Sequence, residues 1–235
     1  MSCSELKYQI GLTLIKGIGN VLAKNLVAYV GSAEGIFREK RQTLSKIPGI
    51  GEVLSREIVN QEVLIRAEEE LAFIDKNGIK CFYFADKEYP FRLKECPDSP
   101  IMLFTKGKAK LNDGKFVAVV GTRNATEAGK ENCRNLLSSL SALQPQTTIV
   151  SGLAYGIDIC AHKASLEFGL PGIAVLGHGL DRIYPSMHRS VSEKMQMDGL
   201  LVTEYLSKTN PDRQNFVQRN RIIAGLCDAL VVVES

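Results

Sequence analysis

Apolar positions change their period once along this 235-residue chain. Over residues 1–70 they recur every three or four, as in Leu6, Ile10, Leu14 and again in Leu22, Leu26, Val30. That spacing predicts amphipathic helices. The later part carries five short β-branched runs, at 116–120, 148–151, 173–176, 200–203 and 229–233. Amphipathic stretches at 127–143, 157–168, 188–197 and 216–227 lie between them. Strands alternating with helices predict βαβ units and a parallel sheet buried on both faces. Residues 71–114 fit neither pattern cleanly. Runs at 79–85 and 101–105 read as strands, and Pro90, Pro97 and Pro100 mark irregular chain between them. This segment is assigned to the sheet domain as an N-terminal extension. The last run stops two residues before the chain does, where a covering helix would normally follow. The strand is expected either to lie at an edge or to belong to a longer protein, and the second reading is preferred.

The helical part carries a repeated signal. Lys16-Gly17-Ile18-Gly19-Asn20-Val21-Leu22 and Pro48-Gly49-Ile50-Gly51-Glu52-Val53-Leu54 place their glycine pairs 32 positions apart. Each reads as helix, tight turn, helix. Glycine permits positive φ and close approach to another molecule. The second helix then begins with free N–H donors and a partial positive charge, which suit a phosphate. Gly17, Gly19, Gly49 and Gly51 are therefore candidate phosphate contacts. Glycines that only make tight turns in a small helical domain, or a helical domain that binds protein, are the alternative and the slightly preferred reading.

Ligands of open α/β sheets bind beyond the carboxyl ends of the strands. The first such loop here is Gly121-Thr122-Arg123-Asn124-Ala125-Thr126, and the second is Ser151-Gly152-Leu153-Ala154-Tyr155-Gly156. Both are rich in small and hydroxyl residues and lead into helices, the chemistry of a phosphate cradle. Arg123 adds a permanent charge able to grip a phosphate with two hydrogen bonds. Gly177-His178-Gly179 follows the third strand, and Arg219-Asn220-Arg221 lies in the helix before the last. His178 is expected at the surface, His162 packed inside, and Cys160 in the core without a nucleophilic role. Asp158 is read as a partner of its own helix dipole, and Arg219 and Arg221 either extend a basic pocket or pair within the fold. The first loop lacks a G-x-G-x-x-G fingerprint and no Walker lysine is present, which argues against a dinucleotide or ATP.

Composition narrows the classes further. Twenty-nine basic and 26 acidic side chains leave a net charge of +3, too small to mark a nucleic-acid binder by bulk charge. Residues 1–70 hold nine of each sign, so the excess lies entirely in the later part. Aromatics are 7% and Trp is absent, which disfavours long rows of stacking platforms. No two of the six cysteines form a CxxC pair, so no zinc ribbon is expected. The apolar runs are too short for a membrane span. The expectation is a cytoplasmic protein with free thiols, no metal and no cofactor.

Five blocks together resemble the DNA-processing protein A family, also called Smf. They are Gly121-Thr122-Arg123 with Thr126 and Gly129; Ser151 to Asp158 with Ala161-His162; Ala174 to Asp181 with Tyr184-Pro185; Thr203-Glu204-Tyr205; and Phe216 to Leu226. Ala128 stands where an aromatic is frequent and Ser186 where a basic residue is common. The resemblance implies an α/β fold. An extended Rossmann-like sheet domain, 71–235 and truncated at its C-terminal end, follows a small all-α SAM-like or helix-hairpin-helix domain, 1–70. It also implies a non-catalytic protein that binds single-stranded DNA without sequence preference. Such a protein protects incoming DNA and loads RecA recombinase in natural transformation and recombination. The DNA-binding set would be Gly121, Thr122, Arg123, Ser151, Gly152, Ala154, Gly156, Lys163, Gly177, Gly179, Arg219, Asn220 and Arg221. The family's dimer surface lies late in the sheet domain, which leaves a homodimer of this chain open. The alternative is a nucleotide-processing enzyme on the same fold, of the phosphoribohydrolase kind, although its P-G-G-x-G-T-x-x-E run is missing here.

Overall fold

The computed structural model describes residues 3–235. It divides into two compact units: the chain up to Ile79 with Pro97–Met102, and Lys80–Cys96 with Leu103–Ser235.

The first unit is helical: α1 (Cys3–Leu14), α2 (Asn20–Val30), α3 (Ala33–Arg38), α4 (Arg41–Leu44), α5 (Gly51–Asn60) and α6 (Val63–Asn77). Ile10, Leu26, Ile36, Leu44, Ile50 and Ile58 form its fully buried interior. Ser32 caps α3 by accepting the Gly35 N–H at 3.0 Å. The segment 97–102 belongs to this unit for a local reason. Lys24 donates to the Pro97 carbonyl at 3.1 Å and to Ser99 Oγ at 2.7 Å, and Ile101 N–H donates to Asn20 Oδ1 at 3.1 Å. The expected division after residue 70 falls inside α6. Leu64, Ala67, Glu70 and Ile74 share one buried helix face, with Glu70 paired to Arg66 at 2.8 Å, and that packed face runs on past residue 70.

The two glycine hairpins pack reciprocally. Gly17 and Gly49 have φ of +85° and +87°, which a side chain would oppose. A Cβ at Gly17 would lie 2.9 Å from Leu54 Cδ2, and one at Gly49 would lie 3.1 Å from Leu22 Cδ1. Each hairpin thus sets its glycine beside the equivalent leucine of the other, as a duplicated unit should.

The second unit is built on a seven-stranded sheet in the order β1-β2-β6-β5-β4-β3-β7. Its elements run β1 (Lys80–Tyr83), α7 (Phe91–Lys94), β2 (Met102–Gly107), β3 (Phe116–Val120), α8 (Glu127–Leu143) and β4 (Thr148–Ser151). They continue with α9 (Ile157–Glu167), β5 (Gly172–Val175), α10 (Arg189–Asp198), β6 (Leu200–Thr203), α11 (Arg213–Gly225) and β7 (Ala229–Val232). Strands β6, β5, β4, β3 and β7 are parallel, whereas β2 joins β6 antiparallel, with Phe104 opposite Thr203. The βαβ core is therefore parallel as expected, and the N-terminal extension lengthens the sheet in the opposite sense. Ala118, Val150, Ile173 and Val202 face α11 and α7 through Ile222, Ile223, Leu226 and Leu93. Val119 and Ile149 face α8 and α9 through Cys133, Leu137, Ile157 and Ala161. β7 is an edge strand, and Leu230 and Val232 are about half exposed there, at 49% and 55%.

Among the described residues no helix is long and apolar enough to cross a membrane.

Candidate nucleic-acid interface

The carboxyl ends of β3, β4 and β7 open with one face of α11 into a cleft of about 640 Å³. Gly121, Thr122 and Arg123 line it from the first loop, and Ala154, Tyr155 and Asp158 from the second. Helix α11 contributes Arg213, Phe216, Val217, Arg219 and Asn220.

At the mouth, Arg123 is exposed and its guanidinium lies 5.6 Å from the centre of the Phe216 ring. Tyr184 stands beside Phe216, with ring centres 5.7 Å apart. Tyr155 is exposed on the far wall and packs edge-on to His188 at 5.4 Å. The low aromatic content argued against stacking surfaces, yet tertiary folding gathers three aromatic rings around this site.

The floor is different. Arg219 is buried, donates to the Val175 carbonyl, and lies flat on Gly152. A Cβ at Gly152 would stand 2.0 Å from Arg219 Nη1, so only glycine leaves room for the guanidinium. Asp158 accepts the Gly152 N–H at 3.1 Å. Burial pushes the Asp158 carboxyl up while the Arg219 charge pulls it down. Burial and the same arginine hold His162 down, to about 3, so it is neutral at physiological pH. Arg221 pairs with Glu204 at 2.6 Å, largely out of solvent.

Some of the backbone donors at these loops and helix starts are engaged within the protein. Thr122 N–H donates to the Glu234 carbonyl at 2.7 Å and Ile157 N–H to the Thr122 carbonyl at 3.2 Å. The start of α8 holds its own anion. Glu234 Oε2 accepts the Thr126 N–H at 3.0 Å, and Thr126 Oγ1 caps the Gly129 N–H at 3.0 Å. Ser151 is buried and its hydroxyl donates to the Val119 carbonyl at 2.7 Å. Gly156, at φ +78°, brings its loop within touching distance of the Thr122 carbonyl. These small residues chiefly lock the two loops together. The cleft's exposed positive charge comes from side chains.

Three expectations are corrected. His178 is fully buried, because its own loop folds around the ring and Thr203 Oγ1 of β6 donates to its carbonyl at 2.9 Å. Its Nδ1 bonds the Gly179 carbonyl at 2.9 Å and its Nε2 accepts the Tyr184 N–H at 3.3 Å. Gly177 and Gly179 serve this packing, since a Cβ at Gly177 would strike the Phe216 ring at 2.8 Å and one at Gly179 the Leu206 carbonyl at 2.3 Å. Lys163 projects from another face of α9 and lines a separate cleft with Lys130 and Glu167. Cys160 is only half-buried and lines that same cleft. Arg213 was missed, although it continues the 213, 216, 217, 220 spacing of one helical face.

The hairpin glycines Gly17, Gly19, Gly49 and Gly51 lie in the helical unit, and all four are exposed.

The second unit is thus a Rossmann-like sheet with an arginine and aromatic rings at the carboxyl ends of its strands, and the first is a helical unit with two glycine hairpins. Residues 80–235 match the family described as DNA recombination-mediator protein A, and residues 10–61 match the SAM-like helix-hairpin-helix tandem. The chain belongs to the DNA recombination-mediator protein A family, also known as DprA or Smf. It is 34% identical to protein Smf of Synechocystis, over the whole of this chain and 60% of that protein. It is 40% identical to DNA processing protein DprA of Streptococcus pneumoniae over 66% of this chain and 54% of that protein. The crystal structure of the S. pneumoniae protein superposes with a TM-score of 0.75 and 32% identity, covering 96% of this chain and 77% of that one. DNA processing protein A of Helicobacter pylori, whose structure is described for its single-stranded DNA binding mode, gives a TM-score of 0.58 and 28% identity over 66% of this chain and 68% of that one. The chain thus spans only 54–60% of the length of these curated relatives.

Proposed function

We propose that this chain is a non-catalytic, cytoplasmic protein that binds single-stranded DNA without sequence preference. The observation that carries the reading is the exposed Arg123 guanidinium beside the Phe216 ring at the mouth of the cleft, 5.6 Å from its centre. A charge next to an aromatic face is the minimal unit for one nucleotide, with the phosphate on the arginine and the base on the ring. Arg213 and Asn220 extend the polar contacts along α11, while Tyr184 and Tyr155 offer further faces. Phosphate contacts and stacking carry no base information, so binding tolerates any sequence. Gly121, Thr122, Ala154 and Gly156 shape the wall rather than supply charge. Arg219 holds the floor, and Arg221 is paired with Glu204. The H. pylori relative, whose structure is described for its single-stranded DNA binding mode, supports the choice of strand.

The recombination-mediator description of the family supports the wider role. The bound strand would be protected and handed to RecA recombinase during natural transformation and recombination. A homodimer would add avidity. The exposed hairpin glycines are the proposed phosphate contacts of the helical unit.

The test is a titration of the chain into labelled oligo-dT, followed by anisotropy at several salt concentrations with duplex alongside. Preferential binding of the single strand is expected, with a log–log salt slope of about −0.7 per phosphate contacted. Binding that is absent, or equal for the duplex, overturns the reading. Release of free base from a nucleoside monophosphate would instead establish the phosphoribohydrolase alternative.

A further inference from the structure

Helices α8 and α9 start from the two loops of the cleft and carry a pair of thiols that DNA binding does not use. Cys133 of α8 is fully buried, while Cys160 of α9 is half-buried. Cys160 lines a second cleft, about 350 Å³ in volume, whose walls carry Glu127, Lys130, Arg134, Lys163 and Glu167. Its Sγ–H donates to the Lys130 carbonyl at 3.4 Å. Cys133 belongs to the apolar layer that packs α8 and α9 on the sheet, and Cys160 packs against that same layer. One sulfur therefore lines a charged opening, and the second lies in the apolar layer against which the first packs. That is the arrangement of an oxidisable thiol and its resolving partner.

We propose that Cys160 is a redox modification site whose oxidant is a hydroperoxide and whose resolving thiol is Cys133. The Cys160 thiolate attacks one peroxide oxygen. An S–O bond forms, the O–O bond breaks, and hydroxide leaves to take up a proton as water. The resulting sulfenic acid is attacked by the Cys133 sulfur. The S–S bond forms, the S–O bond breaks, and the Cys133 proton leaves with the oxygen as a second water. Two thiols lose two electrons and two protons, and hydrogen peroxide is reduced to two waters.

The surroundings favour the first step. The neighbouring Cys133 thiol, and then the Lys130 and Lys163 charges, hold the Cys160 thiol down at about 7, against burial and the Glu127 carboxylate. Cys160 and burial push Cys133 up, which suits a thiol that waits. Glu127 is already paired with Lys130 at 2.6 Å, and Glu167 with Arg134 at 3.0 Å. By contrast Cys227 is pushed up to about 12 by burial, with its Sγ–H on the Ile223 carbonyl at 2.7 Å. A thiol near 7 is about half ionised at pH 7, roughly 16-fold more than an ordinary thiol, and lower intrinsic nucleophilicity reduces the net gain to about threefold.

The experiment treats the reduced chain with one to three equivalents of hydrogen peroxide, blocks remaining thiols with N-ethylmaleimide, and maps non-reduced peptides by mass spectrometry. The expected product is one linked pair containing Cys133 and Cys160, lighter by two hydrogens and cleaved by dithiothreitol. C133S should accumulate a dimedone-reactive sulfenic acid at Cys160, and C160S should give neither product. Without peroxide, Cys160 should react with the maleimide at pH 7 about threefold faster than Cys96, and Cys227 far more slowly. If C133S fails to fold, the wild-type peptide map and labelling rates decide alone. A Cys160 that stays reduced, labels no faster than Cys96, or links to another cysteine overturns the proposal.

Discussion

The mouth and the floor of the cleft use the same residue type for opposite ends. Arg123 at the mouth is exposed and rests beside Phe216. Arg219 on the floor is 2% exposed and donates to the Val175 carbonyl. An arginine in water keeps its hydration and can exchange it for a phosphate. A buried arginine has already exchanged its water for protein groups, and losing it strands the groups it served. Motif membership places both in one set, whereas burial separates them into a ligand contact and a structural brace.

That separation makes the largest prediction one of stability. Arg219→Ala leaves a space over Gly152 and removes the counter-charge of buried Asp158. Unfolding by urea should show a loss of about 3–5 kcal/mol, the range for breaking a buried charge network. A loss below about 1 kcal/mol would move Arg219 out of the floor. Arg123→Ala should behave in the opposite way, with stability within about 0.5 kcal/mol of the parent and oligo-dT binding weaker by about 1.5–3 kcal/mol. Unchanged affinity in the anisotropy titration would remove Arg123 from the interface.

The next effect is a pH dependence seated in the floor. The folded state holds His162 near 3, below its ordinary 6.5. Between these values the unfolded chain binds a proton that the folded chain refuses, so stability falls as pH drops from about 6.5 toward 3. The slope is at most about 1.4 kcal/mol per pH unit from this one group. His162→Leu should flatten that limb in urea titrations at stepped pH, and an unchanged slope would assign it to other groups. The smallest effect belongs to Lys163, which lines the other cleft. Lys163→Ala should leave the salt slope of DNA binding unchanged, whereas a residue holding a phosphate would reduce it by about 0.7.

Much of the second unit was legible before its structure. Residues 127–143 were expected as a helix and form α8 with those bounds, because an apolar stripe of Cys133 and Leu137 recurs behind a capping Thr126. Helix α11 begins at Arg213, three residues before its expected start, since Asp212 and Arg213 carry no apolar period. The antiparallel sense of β2 was not legible, because residue alternation reports which faces are buried and is silent on strand direction. His178 was misplaced for a related reason. Flanking glycines suggested an open loop, but their lack of side chains is what lets Phe216 approach Gly177 and the Leu206 carbonyl approach Gly179.

The sequence by itself determined the two-part organisation, the βαβ alternation, the family and the loops that build the cleft. Those features rest on local periodicity and on residues adjacent in the chain. Tertiary structure decided which members of the motif meet solvent. Glu234 closes the start of α8, Asp158 takes the Gly152 amide, and Val175 takes Arg219. The Glu234 and Val175 partnerships join groups more than 40 positions apart. Whether a donor is free for a ligand depends on such distant partners, which no local pattern encodes.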